Sequence, residues 1–448
     1  MSGETIRLAE FASRLRFEDL PAPVIQRAKD SIIDTIGTIV FGRSLPWSGI
    51  IVAHARRMGD GGRSRILGDG EKPVTAPYAA LSNGALAHAF ELDGATRPSA
   101  GAHPGATIFT AALALAQERG FTGRQLLTAF IAGSEVMIRI GRATHHSNET
   151  RGFHAPGTTG PFGAAIGCGH LMGFDAKHMT NALGIAGSLS SGLVAFARSG
   201  DGAMVKRLHF GRAAEGGLLA ANLAADGFTG PSTVLEGECG FLQAFCNEQD
   251  ANELTKGLGD TWLTSRISMK RYACHTACHT PVQAIVDMKA KGPIESRDIQ
   301  SIEIKVGPKE LRRHDIRDPT DTMIGQYSVP FSVALAIVAD ARDPRTFRDA
   351  DVNNAELRSV MERIRLVPWD TTPPSLIASA TTMTMRDGTV LTSEVADFRG
   401  TPDNPLNPSE LRSKFLLLTR DYEAASTSAI LDRLLQIEQE TTVDWICV

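Results

Sequence analysis

The chain has 448 residues, a formal net charge of −4, only 6 % aromatic residues and 43 glycines. That length carries a large core and two domains. The excess of small over aromatic residues favours helices packed through Ala and Gly faces over a β-sandwich. The charge gives no basis for expecting nucleic acid or an anionic membrane as partner, so an anionic substrate needs a local basic pocket. Cys168, Cys239, Cys246, Cys274, Cys278 and Cys447 are scattered, which argues against a disulfide framework. The first residues lack a basic start followed by an apolar stretch, and no run of about 18 apolar residues occurs. The expectation is a cytoplasmic chain with no membrane span.

In chain order, residues 5–16 read as a short amphipathic helix. Pro21 and Pro23 open a second, with Ile25, Ala28, Ile32, Ile36 and Val40 on one side. Further helical stretches are predicted near 46–58, 74–92, 104–119, 123–143, 157–172, 175–190 and 211–226. Gly120, Gly173 and Gly227 stand at expected helix ends, and Ser64–Gly68 is the one short β-like stretch. After about residue 265 the pattern changes. Residues 299–307 alternate like a half-buried strand, and 379–395 read as a hairpin turning at Asp387-Gly388. Helices are predicted at 281–291, 331–341 and 354–364 between these strands, and at 409–419 and 426–439 after a proline-rich stretch. The fold class is mainly α with a second α+β domain. A large helical domain spans 1–266 together with 400–448, and a smaller inserted α+β domain spans 267–399.

Residues 83–105 carry the densest chemical signal. An apolar helix runs into His88, Glu91 and Asp93, and a Gly/Pro/Ser turn returns His103. A carboxylate that holds an imidazole gives an acid/base pair near neutral pH, although a capped helix end beside a surface histidine has the same pattern. His88-x-x-Glu91 with Asp93 also offers metal ligands, but two ligands at i and i+3 are common by chance. Lys206 follows Gly200 and Gly202 and precedes Gly211, with Arg207, His209 and Arg212 close by. It reads as a partly desolvated base, as a grip for substrate carboxylates, or as a solvated helix start. His154 precedes a Gly-rich helix start whose N–H groups suit an anion. Lys270 and His275 fall in a cluster with Cys274, Cys278 and His279. Its spacing is not that of a structural zinc site, and it suits acid/base chemistry better. No P-loop, dinucleotide fingerprint or GxSxG elbow is present, so no cofactor and no metal are expected.

Taken in order, LAEFASRL, NGALAHAFELD, AHPG, GFHAPGTTGPFGAA, MVKRLHFGRAAEGGLLAA, GFTGPSTVLEGECGF and MKRYACHTACH resemble the MmgE/PrpD family along nearly the whole chain. That family includes 2-methylcitrate dehydratase, cis-aconitate decarboxylase and iminodisuccinate epimerase. The resemblance implies a helical domain with an inserted α+β lobe, a homodimer, and a small di- or tricarboxylate substrate handled between the domains without a redox cofactor. It implies catalytic roles for Asp93, His103, His154, Lys206, Lys270 and His275, gathered in one basic cleft. Arg97, Arg207, Arg212 and Tyr327 are assigned to substrate binding. Two departures stand out. Phe331 replaces a tyrosine common in a family Ser-x-x-Tyr stretch, and Gly94 replaces a common acid. Loss of that phenol favours the reaction needing fewest acid groups, so the expected activity is an epimerase of the iminodisuccinate type. A 2-methylcitrate dehydratase-type lyase, a decarboxylase and a carboxylate-binding non-enzyme are the alternatives.

Overall fold

The computed structural model describes residues 3–70, 72–197, 203–349 and 352–448. The chain divides into two compact units. The first comprises Met1–Ala89, Asp93–Met269 and Ser409–Val448, and the second Phe90–Leu92 and Lys270–Pro408. Three residues of the 83–105 segment thus belong to the second unit, a detail no composition shift announces.

The helical unit is built around helix Val205–Ala225, which packs on Ala76–Ala87 and Ala155–Leu171. Small residues let these backbones approach. A β-carbon on Gly211 would lie 2.1 Å from the Leu81 carbonyl oxygen, and one on Gly84 would lie 2.9 Å from the Gly211 Cα. Helix Gly123–Ala143 packs on Ala155–Leu171 and carries a buried ion pair, Glu135 with Arg139. Glu135 also accepts from the backbone N–H groups of Leu263 (3.0 Å) and Thr264 (2.7 Å), while Arg139 donates to the Thr261 carbonyl at 2.7 Å. Those bonds pin the segment leading to strand Ile267–Ser268, which pairs antiparallel with Ala95–Thr96. Helix Pro408–Leu418 contributes Lys414, whose ammonium is buried against Asp34 of helix Ala22–Arg43. Among the described residues, no single helix is long and apolar enough to cross a membrane.

The second unit holds a four-stranded mixed sheet ordered Ile364–Pro368, Ile299–Val306, Ser379–Met385, Val390–Val395. The first pair is parallel and the others antiparallel. A register shift between Ile299 and Ser301 moves the buried set onto Ile302, Ile304 and Val306. Helices Thr276–Lys289 and Val329–Val338 pack together, and the first also covers strands Ser379–Met385 and Val390–Val395.

Several element boundaries differ from the sequence reading. The helix expected over 74–92 ends at Ala87, because His88 leaves helical geometry and Glu91 adopts φ 56°. The helix expected from 211 begins at Val205, since Gly211 serves close packing inside the helix and does not start it. The helix expected from Pro281 begins at Thr276, with Pro281 inside it. Strand Ile364–Pro368 stands where the sequence reading ended a helix.

Candidate active site

Asp93 is fully buried and its carboxylate is shared by two imidazoles. Nδ1 of His88 lies 2.6 Å from one oxygen, and Nδ1 of His103 lies 2.7 Å from the other. Burial alone would raise the Asp93 pKa. The two imidazoles overcome it and hold the group well below the usual carboxylate range. An ionised carboxylate only accepts, so each Nδ1 carries a hydrogen and donates. Burial pushes His88 well below the ordinary imidazole value, so it is neutral and its Nδ1–H tautomer is fixed. The same bond on His103 leaves Nε2 as its nitrogen for proton chemistry.

Local structure sets this arrangement. His103 precedes Pro104 and a π-helical turn at Gly105–Phe109, and its carbonyl accepts from the Thr107 N–H at 3.2 Å. A β-carbon on Gly105 would fall 2.0 Å from Thr35 Oγ1, so only glycine allows that approach. At the foot of the loop, the Thr96 N–H donates to the Ala102 carbonyl at 2.9 Å. A β-carbon on Gly94 would lie 2.8 Å from the Ser268 carbonyl oxygen, so a side chain there would force that strand to shift.

Phe210 organises the remaining rings of the helical unit. Its ring stacks on His88 at 3.8 Å between centroids and meets His103 edge-on at 5.1 Å and His154 edge-on at 5.7 Å. His154 caps helix Ala155–Leu171 and is buried, which holds its pKa well below the ordinary imidazole value. Its Nδ1 lies 2.8 Å from Nδ1 of His209. Lys206, in the first turn of Val205–Ala225, is buried with its ammonium 5.9 Å from the Phe196 ring centre, and that ring meets His154 at 4.9 Å. Asp93, His103, His154 and Lys206 therefore form one cluster in this unit. Gly200 and Gly202 lie outside the described residues.

Lys270 and His275 belong to the second unit. Lys270 is buried and donates to Glu91 at 3.0 Å, while the Tyr327 hydroxyl donates to the other Glu91 oxygen at 3.1 Å. The Tyr327 ring stacks on His275 at 5.1 Å, and His275 stacks on His314 at 4.5 Å. His275 Nδ1 accepts from the Ala277 N–H at 3.3 Å as a helix cap. Burial pushes the Cys274 thiol well up, so it behaves as a small apolar group. Phe331 is fully buried against Gly325, while the Tyr327 phenol is the one that reaches Glu91.

The arginines are placed differently. Arg207 lies 5.1 Å over the Trp47 ring and donates to the Ala89 and Ala203 carbonyls. Arg212 pairs with Glu215. Arg97 is exposed and lines a cavity of about 510 Å³ with Thr96, Arg142, Trp262 and Arg266, a cavity that none of the histidines lines. His88, Asp93 and His103 offer ligand atoms within 4.8 Å of one another. A metal ion bound through the two Nδ1 atoms would replace the hydrogens they share with the carboxylate.

Sequence reasoning named His88, Glu91 and His209 without the partners the structure gives them, and it passed over Phe210. With the helix start set at Val205, His209 and Phe210 follow Lys206 at i+3 and i+4, and that spacing was the available signal. A glutamate at positive φ carries no such signal, because that conformation ordinarily selects Gly or Asn.

A shared acid/base cluster on a helical domain followed by an α+β domain defines a class, and comparison with known proteins gives it a family. The MmgE/PrpD N-terminal domain matches residues 6–254 and the MmgE/PrpD C-terminal domain residues 272–437. The chain belongs to the MmgE/PrpD family. It is similar to cis-aconitate decarboxylase of Aspergillus terreus, 29 % identical over 478 aligned positions that cover 99 % of this chain and 94 % of that protein. It is also similar to the human cis-aconitate decarboxylase, 25 % identical over 90 % of this chain and 84 % of that protein. The mouse cis-aconitate decarboxylase is 25 % identical over 95 % and 89 %. These relatives are lyases by name, which overturns the epimerase expectation. That expectation counted acid groups from the phenyl ring at Phe331. The acid/base set is common to reactions of this kind and does not rank them.

Proposed function

We propose that this protein is a lyase that decarboxylates a small tricarboxylate of the cis-aconitate type. The reading rests on one observation above others: the Asp93 carboxylate orients His103 within a cluster that also holds His154 and Lys206. Kinship to three cis-aconitate decarboxylases over most of the chain supports it.

Loss of CO2 leaves an electron pair on carbon, and a proton must then reach it. The buried ammonium of Lys206 supplies positive charge for a substrate carboxylate and for the charge that develops beside it. An imidazole supplies the proton. His154, whose Nδ1 is joined to His209, and His103, whose Nε2 is left for proton transfer by the bond to Asp93, are the two rings placed to deliver it.

The test is incubation of the purified protein with cis-aconitate, with CO2 release and the vinylic proton signals followed together. Stoichiometric CO2 and a new alkene product are expected. Turnover of a hydroxylated tricarboxylate by loss of water, with no CO2, would overturn the reading in favour of a hydro-lyase. Binding without turnover of any polycarboxylate would favour a non-enzyme.

A further inference from the structure

His209 was not assigned a role by its position in the sequence, yet its ring is the direct partner of His154. The two Nδ1 atoms are 2.8 Å apart, a distance that admits one hydrogen. Phe196 meets both rings edge-on, at 4.9 Å from His154 and 5.9 Å from His209. The face of His209 lies on backbone: a β-carbon on Gly192 would approach its Cγ and Nδ1 to 3.3 Å. His154 is buried and His209 is half-buried. A ring inside the cluster is thus joined by one short hydrogen bond to a ring with access to water.

We propose that His209 is a proton-relay residue that resupplies His154 from solvent during the decarboxylation, an inference that rests on the function proposed above. At rest, His209 carries its hydrogen on Nδ1 and donates to the bare Nδ1 of His154, whose own hydrogen is on Nε2. The His154 Nε2–H bond breaks as the new C–H bond forms on the substrate carbon. The shared hydrogen crosses to His154 Nδ1, and a solvent proton binds His209 Nε2. Both rings end neutral in exchanged tautomers, and one solvent proton has become one C–H hydrogen. After product leaves, water protonates His154 Nε2, the shared hydrogen returns to His209, and His209 Nε2 releases its proton to solvent. Burial lowers both rings from the ordinary imidazole value, with neighbouring His88 and, for His209, Lys206 acting the same way. A route that forms no lasting imidazolium suits such a site.

The experiment compares the parent with His209→Phe and His209→Ala, each first checked for parental circular dichroism. The relay predicts a fall in kcat of about 10²-fold with KM within about twofold. It also predicts that imidazole buffer restores kcat of His209→Ala in a concentration-dependent way and leaves the parent unchanged. Variants within about threefold of the parent kcat, with no buffer response, would overturn it. A second readout needs no turnover. In 15N-histidine-labelled parent near neutral pH, one ring of the pair should carry hydrogen on Nδ1 and the other on Nε2. Imidazolium on either ring, or Nε2–H on both, would overturn the relay. A parent inactive on every polycarboxylate would instead sink the functional reading.

Discussion

The strongest test of the Asp93 cluster is Asp93→Asn. The carboxylate accepts one N–H from His88 at 2.6 Å and one from His103 at 2.7 Å. An amide has one oxygen and one NH2 group, so it accepts from one ring only and faces the other with a donor. The confronted ring must bare its Nδ1 and carry its hydrogen on Nε2. If that ring is His103, its Nε2 lone pair is gone. In either case the negative charge that steadies a His103 imidazolium is gone too. A wrong tautomer on an oriented histidine costs on the order of 10⁴ in kcat, and loss of general acid–base help alone about 10²–10⁴. The expected loss is therefore about 10³-fold or more, about 4 kcal/mol in the transition state. Stability should change little, because the amide removes the burial cost of a charge together with its charge-assisted bonds. The assay is CO2 release from cis-aconitate, joined to 15N spectra of the histidine rings. A variant that keeps more than a tenth of the parent rate while His103 retains its Nδ1 hydrogen would refute the reasoning.

Other outcomes follow from the same geometry. His88 and His154 are held neutral below the ordinary imidazole value, so unfolding takes up protons and stability declines as pH falls below about 6.5. Each such ring contributes at most about 1.4 kcal/mol per pH unit, and His170, His209 and His314 are lowered as well, so the urea midpoint should fall between pH 7.5 and 5.5, and His88→Phe should make that fall smaller. A pH-independent midpoint would show that the rings are not held neutral. Glu91→Gln removes the carboxylate facing buried Lys270 and should cost about 3 kcal/mol in denaturant midpoint, part of it recovered in Glu91→Gln/Lys270→Met. A loss under 1 kcal/mol would contradict a buried pair. Gly211→Ala drives a methyl into the Leu81 carbonyl and should cost about 3 kcal/mol; a neutral effect would mean that the two helices are not in backbone contact. Dialysis against a chelator should leave turnover unchanged, and its loss would assign His88, Asp93 and His103 to a metal.

Much of the fold was legible because it is written locally. Alternation marked strand Ile299–Val306, Asp387-Gly388 marked the hairpin with Gly388 at φ 90°, and glycines marked helix ends such as Gly120 at φ 76°. Strand Ile364–Pro368 was hidden because it starts one residue after helix Ala355–Glu362, and its first residue reads as the end of that helix. The site was legible in its ionisable residues and hidden in their partners. Asp93 with His103 could be read from one loop. The gathering of His88, His103 and His154 about Phe210 could not, since it depends on where helix Val205–Ala225 begins and on the Gly84–Gly211 approach that seats it. The pairing of Glu91 with Lys270 was hidden for another reason: the positive φ of Glu91 is imposed by surroundings and favoured by nothing in its side chain.

The proton balance of the reaction ties the two pairs of imidazoles in this cluster to the kind of lyase proposed. Dehydration takes a hydrogen and a hydroxyl from the same substrate, and epimerisation returns the proton it removes, so either can recycle protons within the site. Decarboxylation has no proton to recover from its substrate. Each turnover converts a carboxylate to CO2 and consumes one proton at carbon, and that proton must come from outside. Asp93 and His88 fix one imidazole in place and need no link to water. His154 has such a link through His209, and a dedicated resupply is what a proton-consuming reaction demands. In D2O the product should therefore carry one solvent deuterium at the new C–H position. A solvent isotope effect on kcat should be present in the parent and altered when His209 is replaced. Product formed in D2O without deuterium at that carbon would break the connection between the ring pair and the chemistry.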